Sequence, residues 1–143
     1  ARTFFTGNGV TAITVSAVAT PMDIRDITFI NASVGIVVSN ASSVNIKNNV
    51  FEVGNTATAI QVTDTLSSLT IVNNTFYQNG TAISSARDSL SIINNIFSGN
   101  ALAISANVLV DNIKSNLFGR IPLSDRQSYS FLETLTLTST LSI

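Results

Sequence analysis

The 143-residue chain contains no cysteine and no histidine. The first absence excludes disulfides and thiolate chemistry. The second removes the side chain that most often serves as general base or metal ligand. Charge is also scarce: seven basic and eight acidic residues give a formal net charge of −1. A surface of that kind has no electrostatic reach toward nucleic acid or an acidic membrane, so neither is an expected partner. No run of about 18 apolar residues is present, which leaves no candidate membrane span. The chain begins at Ala1 without a methionine, and a processed secreted protein or a fragment would both begin so. A neutral surface rich in Ser, Thr and Asn leads us to expect an extracellular or cell-surface location.

What the chain does contain is Ile, Val and Leu alongside Thr, Ser and Asn, a mixture that favours strands and tight turns over helices. It also repeats. Phe5, Phe29, Phe51, Phe76, Phe97 and Phe118 are separated by 24, 22, 25, 21 and 21 residues. Aligning on these phenylalanines brings other columns into view. Five residues earlier stand Ile24, Ile46, Ile71, Ile92 and Ile113; seven earlier stand Met22, Val44, Leu69 and Leu90, with Asp111 breaking the column. Seven to nine later stand Ile13, Ile36, Ile60, Ile83 and Ile104, each preceded by Ala or Gly. Two before the Phe stand Asn49, Asn74, Asn95 and Asn116, with Ile27 as the exception.

A period near 22 with no helical spacing reads as one turn of a β-solenoid. Each turn would hold a short strand such as Leu90-Ser91-Ile92, an Asn corner, the Phe, a Gly/Asn loop and a second strand such as Ala103-Ile104. Asparagine suits the corner because it tolerates the left-handed conformation. Coils stack about 4.8 Å apart, so equivalent asparagines can form a ladder of amide bonds. The neighbouring column of Asp26, Asn48, Asn73, Asn94 and Ser115 is polar too, and the sequence leaves open which member of each pair faces inward. The expected architecture is an all-β, single-domain parallel β-helix of about six coils over residues 1–118. Residues 119–143 are expected to form an irregular connection and a C-terminal alternating strand.

The pattern I-x-x-N-x-F, seen in "IKNNVF", "IVNNTF", "IINNIF" and "IKSNLF", resembles the right-handed parallel β-helix proteins of the pectate-lyase-like kind. "FTGN", "FYQN" and "FSGN", with "TAI", "TAI" and "LAI" downstream, also resemble the FxxN and GGAI repeats of surface adhesins. The first resemblance implies a right-handed solenoid, and it implies activities to test for. Lyases of this fold use clustered carboxylates to hold calcium and an Arg or Lys as base. Its hydrolases use closely set aspartates, usually with a histidine.

The acids do not offer a strong constellation. Asp64 and Asp88 come closest, sharing a loop column with Asn40 and Asn107. Two carboxylates about 5–9 Å apart could hydrolyse a glycoside or hold a calcium ion, but Asp in a turn position needs no such role. No catalytic residue, metal ligand or cofactor is therefore assigned. Arg25, Lys47 and Lys114 share the column four before Phe, either as a stripe for an anionic polysaccharide or as a solvated face. Tyr77 and Tyr129 are candidates for sugar stacking. Asn31, Asn40, Asn73 and Asn79 each begin an N-x-S/T sequon.

Two functional expectations follow. The first is a non-enzymatic extracellular scaffold, either a subunit of a surface fibre joined head to tail or an adhesin-type segment. The second is a carbohydrate-active β-helix, enzyme or binding module, with a surface polysaccharide as partner. The tail bears on the first. After Phe118 the repeat lapses, Pro122 cannot donate within a ladder, and "LETLTLTSTLSI" alternates. Leu135, Leu137, Leu141 and Ile143 fall on one face; fully extended, the strand would span about 40 Å. Leu141-Ser142-Ile143 repeats Leu90-Ser91-Ile92, and Phe5 has no such half-repeat before it. A coil completed across a subunit junction by Phe4, Phe5, Leu141 and Ile143 is therefore an expectation, and such a heterologous contact generates a filament.

Overall fold

The computed structural model describes residues 2–64, 68–86, 90–106 and 112–119. These residues form sixteen strands in three parallel sheets. The Phe sheet contains β1 (Thr3–Thr6), β4 (Ile27–Ile30), β7 (Val50–Glu52), β10 (Thr75–Tyr77), β13 (Ile96–Ser98) and β16 (Leu117–Phe118), in that spatial order. The Ala-Ile sheet contains β2 (Thr11–Ser16), β5 (Val34–Ser39), β8 (Thr58–Val62), β11 (Thr81–Ser85) and β14 (Leu102–Ser105). The Leu-x-Ile sheet contains β3 (Met22–Arg25), β6 (Val44–Lys47), β9 (Leu69–Val72), β12 (Ser91–Ile93) and β15 (Ile113–Lys114). Each strand from β1 to β13 pairs with the one three further along the chain. The path is therefore a coil with one strand per sheet per turn, and six, five and five strands make about five turns.

The register coincides with the sequence columns. Ile24 pairs with Ile46, Ile46 with Ile71, Ile71 with Ile92 and Ile92 with Ile113. Phe5, Phe29 and Phe51 lie in one row, as do Phe51, Phe76, Phe97 and Phe118. Inside, the rings of Phe29, Phe51, Phe76, Phe97 and Phe118 stack 4.7–5.0 Å apart, within 8° of parallel. Phe5 is only half-buried; its ring is tilted by 40° and lies 6.4 Å from that of Phe29. Coil spacing thus sets ring spacing, and each pair adds about 0.5–1.5 kcal/mol beyond the apolar area it removes from water.

Corners follow from backbone chemistry. Between the Leu-x-Ile and Phe sheets the chain turns on a single left-handed residue, Asp26, Asn48, Asn73, Asn94 or Ser115, with φ between 53° and 59°. Between the Phe and Ala-Ile sheets, Asn31, Gln78 and Gly99 adopt the same conformation. Asn and Asp reach this region more readily than other side-chain-bearing residues. The small residue before each Ile of the Ala-Ile sheet also has a packing reason. Ala59, Ala82 and Ala103 are buried together with the Ile that follows. At Gly35 an added Cβ would lie 2.5 Å from the Ala59 carbonyl oxygen of the next coil and 3.1 Å from the Phe51 ring.

Candidate functional site

The chemistry of this molecule is concentrated in asparagine. At each corner after the Leu-x-Ile sheet, the first residue takes the left-handed turn and the second points inward. Asn49, Asn74 and Asn95 are each 1% exposed, and Asn116 is half-buried. The ladder is directional. Asn74 Oδ1 accepts from the backbone N–H and the side-chain Nδ2 of Asn49, at 2.9 and 3.1 Å. Asn95 Oδ1 does the same for Asn74 (2.9 and 3.1 Å), and Asn116 Oδ1 for Asn95 (2.8 and 3.0 Å). Each Nδ2 also donates back to the preceding coil, to the carbonyls of Ile24, Ile46, Ile71 and Ile92. Ile27, which breaks the sequence column, still takes part, because its N–H donates to Asn49 Oδ1 at 3.1 Å. One amide thus satisfies backbone groups that a corner would otherwise leave unpaired in the core.

A second ladder escaped the sequence reading. Asn79 and Asn100, three residues after Phe76 and Phe97, are 1% and 5% exposed. Asn100 Oδ1 accepts from Asn79 N and Nδ2, Asn79 Oδ1 accepts from Val53 N, and the two Nδ2 groups donate to the carbonyls of Phe51 and Phe76. The signal available in the sequence is the final Asn of "FYQN" and "FSGN". Its burial also decides one sequon: Asn79, with its Nδ2 bonded inside the core, is no carrier for a glycan in the folded state. Asn31, Asn40 and Asn73 are exposed.

Two of the described acids, Asp23 and Asp64, take structural partners. Asp64 Oδ2 accepts from the backbone N–H of Asn40 at 2.6 Å, one coil away, where Asn40 is left-handed with φ 50°. Asp88, its candidate partner in catalysis, lies outside the described residues, as does Tyr129. On the Leu-x-Ile sheet, Asp23 receives Lys47 Nζ at 2.5 Å and Asn45 Nδ2 at 2.9 Å. Of the candidate basic stripe, Lys47 is therefore neutralised within the sheet. Arg25 and Lys114 are exposed at either end of the row, with Val72 and Ile93 between. Among the described residues no three acidic side chains are grouped as metal ligands would be, and no helix is long and apolar enough to cross a membrane. Two open hollows of about 340 and 310 Å³ lie at the corners. The first is lined by Ala17, Val18, Ala19, Asn40, Ala41 and Ser42; the second includes Asn8, Asn31 and Gly54. Neither lining contains an ionisable side chain.

A three-sided parallel coil with an aromatic stack and an amide ladder is the setting for a comparison with known proteins. The family model described as a right handed beta helix region matches residues 2–119. The chain belongs to this family. No curated protein and no solved structure matches it. In this β-helix protein, then, the described Asp and Asn side chains that make inter-coil bonds hold coils together. Of the candidate junction residues, Phe4 is 66% exposed on the outer face of β1 and Phe5 is half-buried, while Leu141 and Ile143 lie outside the described residues.

The Asp23 cluster gives a pH prediction. The Lys47 ammonium, and then the Asn45 amide, hold the Asp23 carboxyl below its ordinary range. A folded-state value below the unfolded one stabilises the protein above the unfolded value, and the effect is lost as pH falls through the folded value. Carbon-13 NMR should give Asp23 a depressed titration midpoint that rises in Lys47→Met. The stability difference between the two proteins should shrink on acidification and in high salt.

Proposed function

We propose that this β-helix protein is a non-enzymatic structural element, a segment of an extracellular surface fibre or adhesin-type scaffold whose copies associate head to tail. The observation that supports it is where the buried polar groups go. Asn49, Asn74, Asn79, Asn95 and Asn100 are all buried, and each bonds along the coil axis to a neighbouring turn. Asp23 and Asp64 likewise bond to the adjacent coil. These two carboxylates, a side-chain type that a carbohydrate enzyme would turn toward substrate, are engaged in cohesion between layers. A stack of equivalent layers ends in strand edges, and another copy can add to such an edge by main-chain pairing. The neutral Ser-, Thr- and Asn-rich surface accords with an extracellular scaffold.

Electron microscopy and light scattering of the purified 143-residue chain test this reading. We expect threads one solenoid wide whose length grows with protein concentration, and shorter or absent threads when residues 139–143 are deleted. A monomer at high concentration, or unchanged threads from the truncated chain, overturns the assembly. Polysaccharide turnover, followed by the absorbance of unsaturated products and lost in Asp64→Ala, would replace the scaffold with the carbohydrate-active reading.

A further inference from the structure

We propose that this chain carries two deamidation sites of opposite accessibility. Asn8 reacts in the folded protein, whereas Asn79 reacts only when its coil opens and then cannot return to its place. The inference rests on the Asn-Gly pairs of the chain, Asn8-Gly9 and Asn79-Gly80, and does not depend on the proposed function.

The chemistry needs no cofactor. The backbone nitrogen after the asparagine attacks the side-chain Cγ. An N–Cγ bond forms, the Cγ–Nδ2 bond breaks, and ammonia leaves with the proton given up by the backbone N–H. Water then opens the cyclic imide at either carbonyl, giving aspartate or isoaspartate; nothing is oxidised or reduced. Glycine favours the attack because, with no Cβ, it leaves its nitrogen unhindered and its backbone free to turn. The reaction therefore requires an unengaged N–H, a side chain and peptide free to rotate, and water.

Asn8-Gly9 meets all three conditions. The pair lies at the corner between β1 and β2, where both residues are exposed and Gly9 is left-handed with φ 73°. Both line the open hollow of about 310 Å³, so water reaches them. Among the described residues no hydrogen bond engages the Asn8 amide or the Gly9 N–H. The product places a carboxylate in solvent, where it costs the fold little, and makes the formal net charge of −1 one unit more negative.

Asn79-Gly80 fails all three. The Gly80 N–H donates to Gly54 O at 2.9 Å, and Asn79 O accepts from Ala101 N at 2.9 Å, so the peptide between the two residues is held from both sides. The side chain is fixed as well. Its Oδ1 accepts from Val53 N at 2.9 Å, and its Nδ2 donates to Phe51 O at 3.1 Å and Asn100 Oδ1 at 2.8 Å. Asn79 is 1% exposed, which excludes the water that must open the imide. Attack thus waits for a local opening in which these bonds break together.

The product does not fit the closed coil. A carboxylate has no hydrogen to donate, so its oxygens would face Phe51 O and Asn100 Oδ1, acceptors against acceptors. Its charge would also sit in the core without a counter-ion, at high cost. Isoaspartate adds a backbone atom at a position where the register allows none. Reaction at Asn79 therefore records each opening of this coil irreversibly, and reaction at Asn8 records only elapsed time.

The test is incubation of the purified chain in oxygen-18 water at mildly alkaline pH, with tandem mass spectrometry to locate the label. Heavy oxygen enters only as the imide opens, so deamidation during later digestion is not counted. In the folded protein, label at position 8 should accumulate faster than at position 79 by about tenfold or more, and in urea the two rates should converge. Equal rates in the folded protein, no label at position 8, or a difference that persists in urea each overturns the proposal. Asn100→Ala removes the acceptor of the Asn79 N–H and Nδ2, and should speed labelling at position 79 about tenfold by easing the opening. An unchanged rate there overturns the gating. After return from urea to buffer, size-exclusion chromatography should separate chains labelled at position 79 from refolded protein, while chains labelled only at position 8 elute with it. Co-elution of the former would show that the coil closes over the product and overturns the irreversible step.

Discussion

Replacing Asn74 by alanine is expected to lower the free energy of unfolding by about 3 kcal/mol, a large fraction of the stability of a domain this size. The side chain accepts two bonds from Asn49, and its two Nδ2 hydrogens are shared among Ile46 O, Val72 O and Asn95 Oδ1. Alanine removes these bonds and leaves the Asn49 N–H in the core without that acceptor. Each buried group so orphaned costs about 1–3 kcal/mol. The adjacent Asn73 is the control. It is exposed and left-handed, with φ 57°, so Asn73→Gly should change stability by only a few tenths of a kcal/mol. Urea denaturation of the two variants separates an inner ladder from a merely polar corner. Equal midpoints for Asn74→Ala and the unaltered protein would remove the ladder as a source of cohesion.

The second large effect is at the centre of the aromatic stack. Phe76 is fully buried, with Phe51 at 5.0 Å and Phe97 at 4.9 Å. Phe76→Ala should cost about 4 kcal/mol from lost burial and the cavity left behind. Phe5→Ala should cost well under half of that, because its ring is half-buried and sits 6.4 Å from Phe29. In a solenoid, stability is a sum over layers and their interfaces. Phe76→Ala should therefore also weaken coupling between the two ends and broaden the denaturation transition. An effect of the same size at both positions would mean that the stack is not what joins the layers.

The difference between these positions shows what could be read from the chain and what could not. A residue repeated every coil becomes a row in space. The spacing of Phe, Ile and Asn therefore determined the solenoid, its parallel pairing and its inner rows, and the register reproduces them. The count of about six coils compares with about five turns of described strands. Which Asn of each pair faces inward was not legible, because both residues are polar and both suit a corner. Only the folded corner separates them, through a left-handed φ at the first and burial at the second. The ladder of Asn79 and Asn100 was hidden for a related reason. It occupies two coils, and the same row is filled by Ala32 and Val53 elsewhere, so periodicity alone gave it no weight. The roles of Asp23 and Asp64 were likewise a matter of tertiary structure. Each carboxylate meets a partner 22 to 24 residues away, across one coil. A sequence column places two such residues near one another, but only the local backbone decides whether a carboxylate turns to solvent or to a neighbouring N–H.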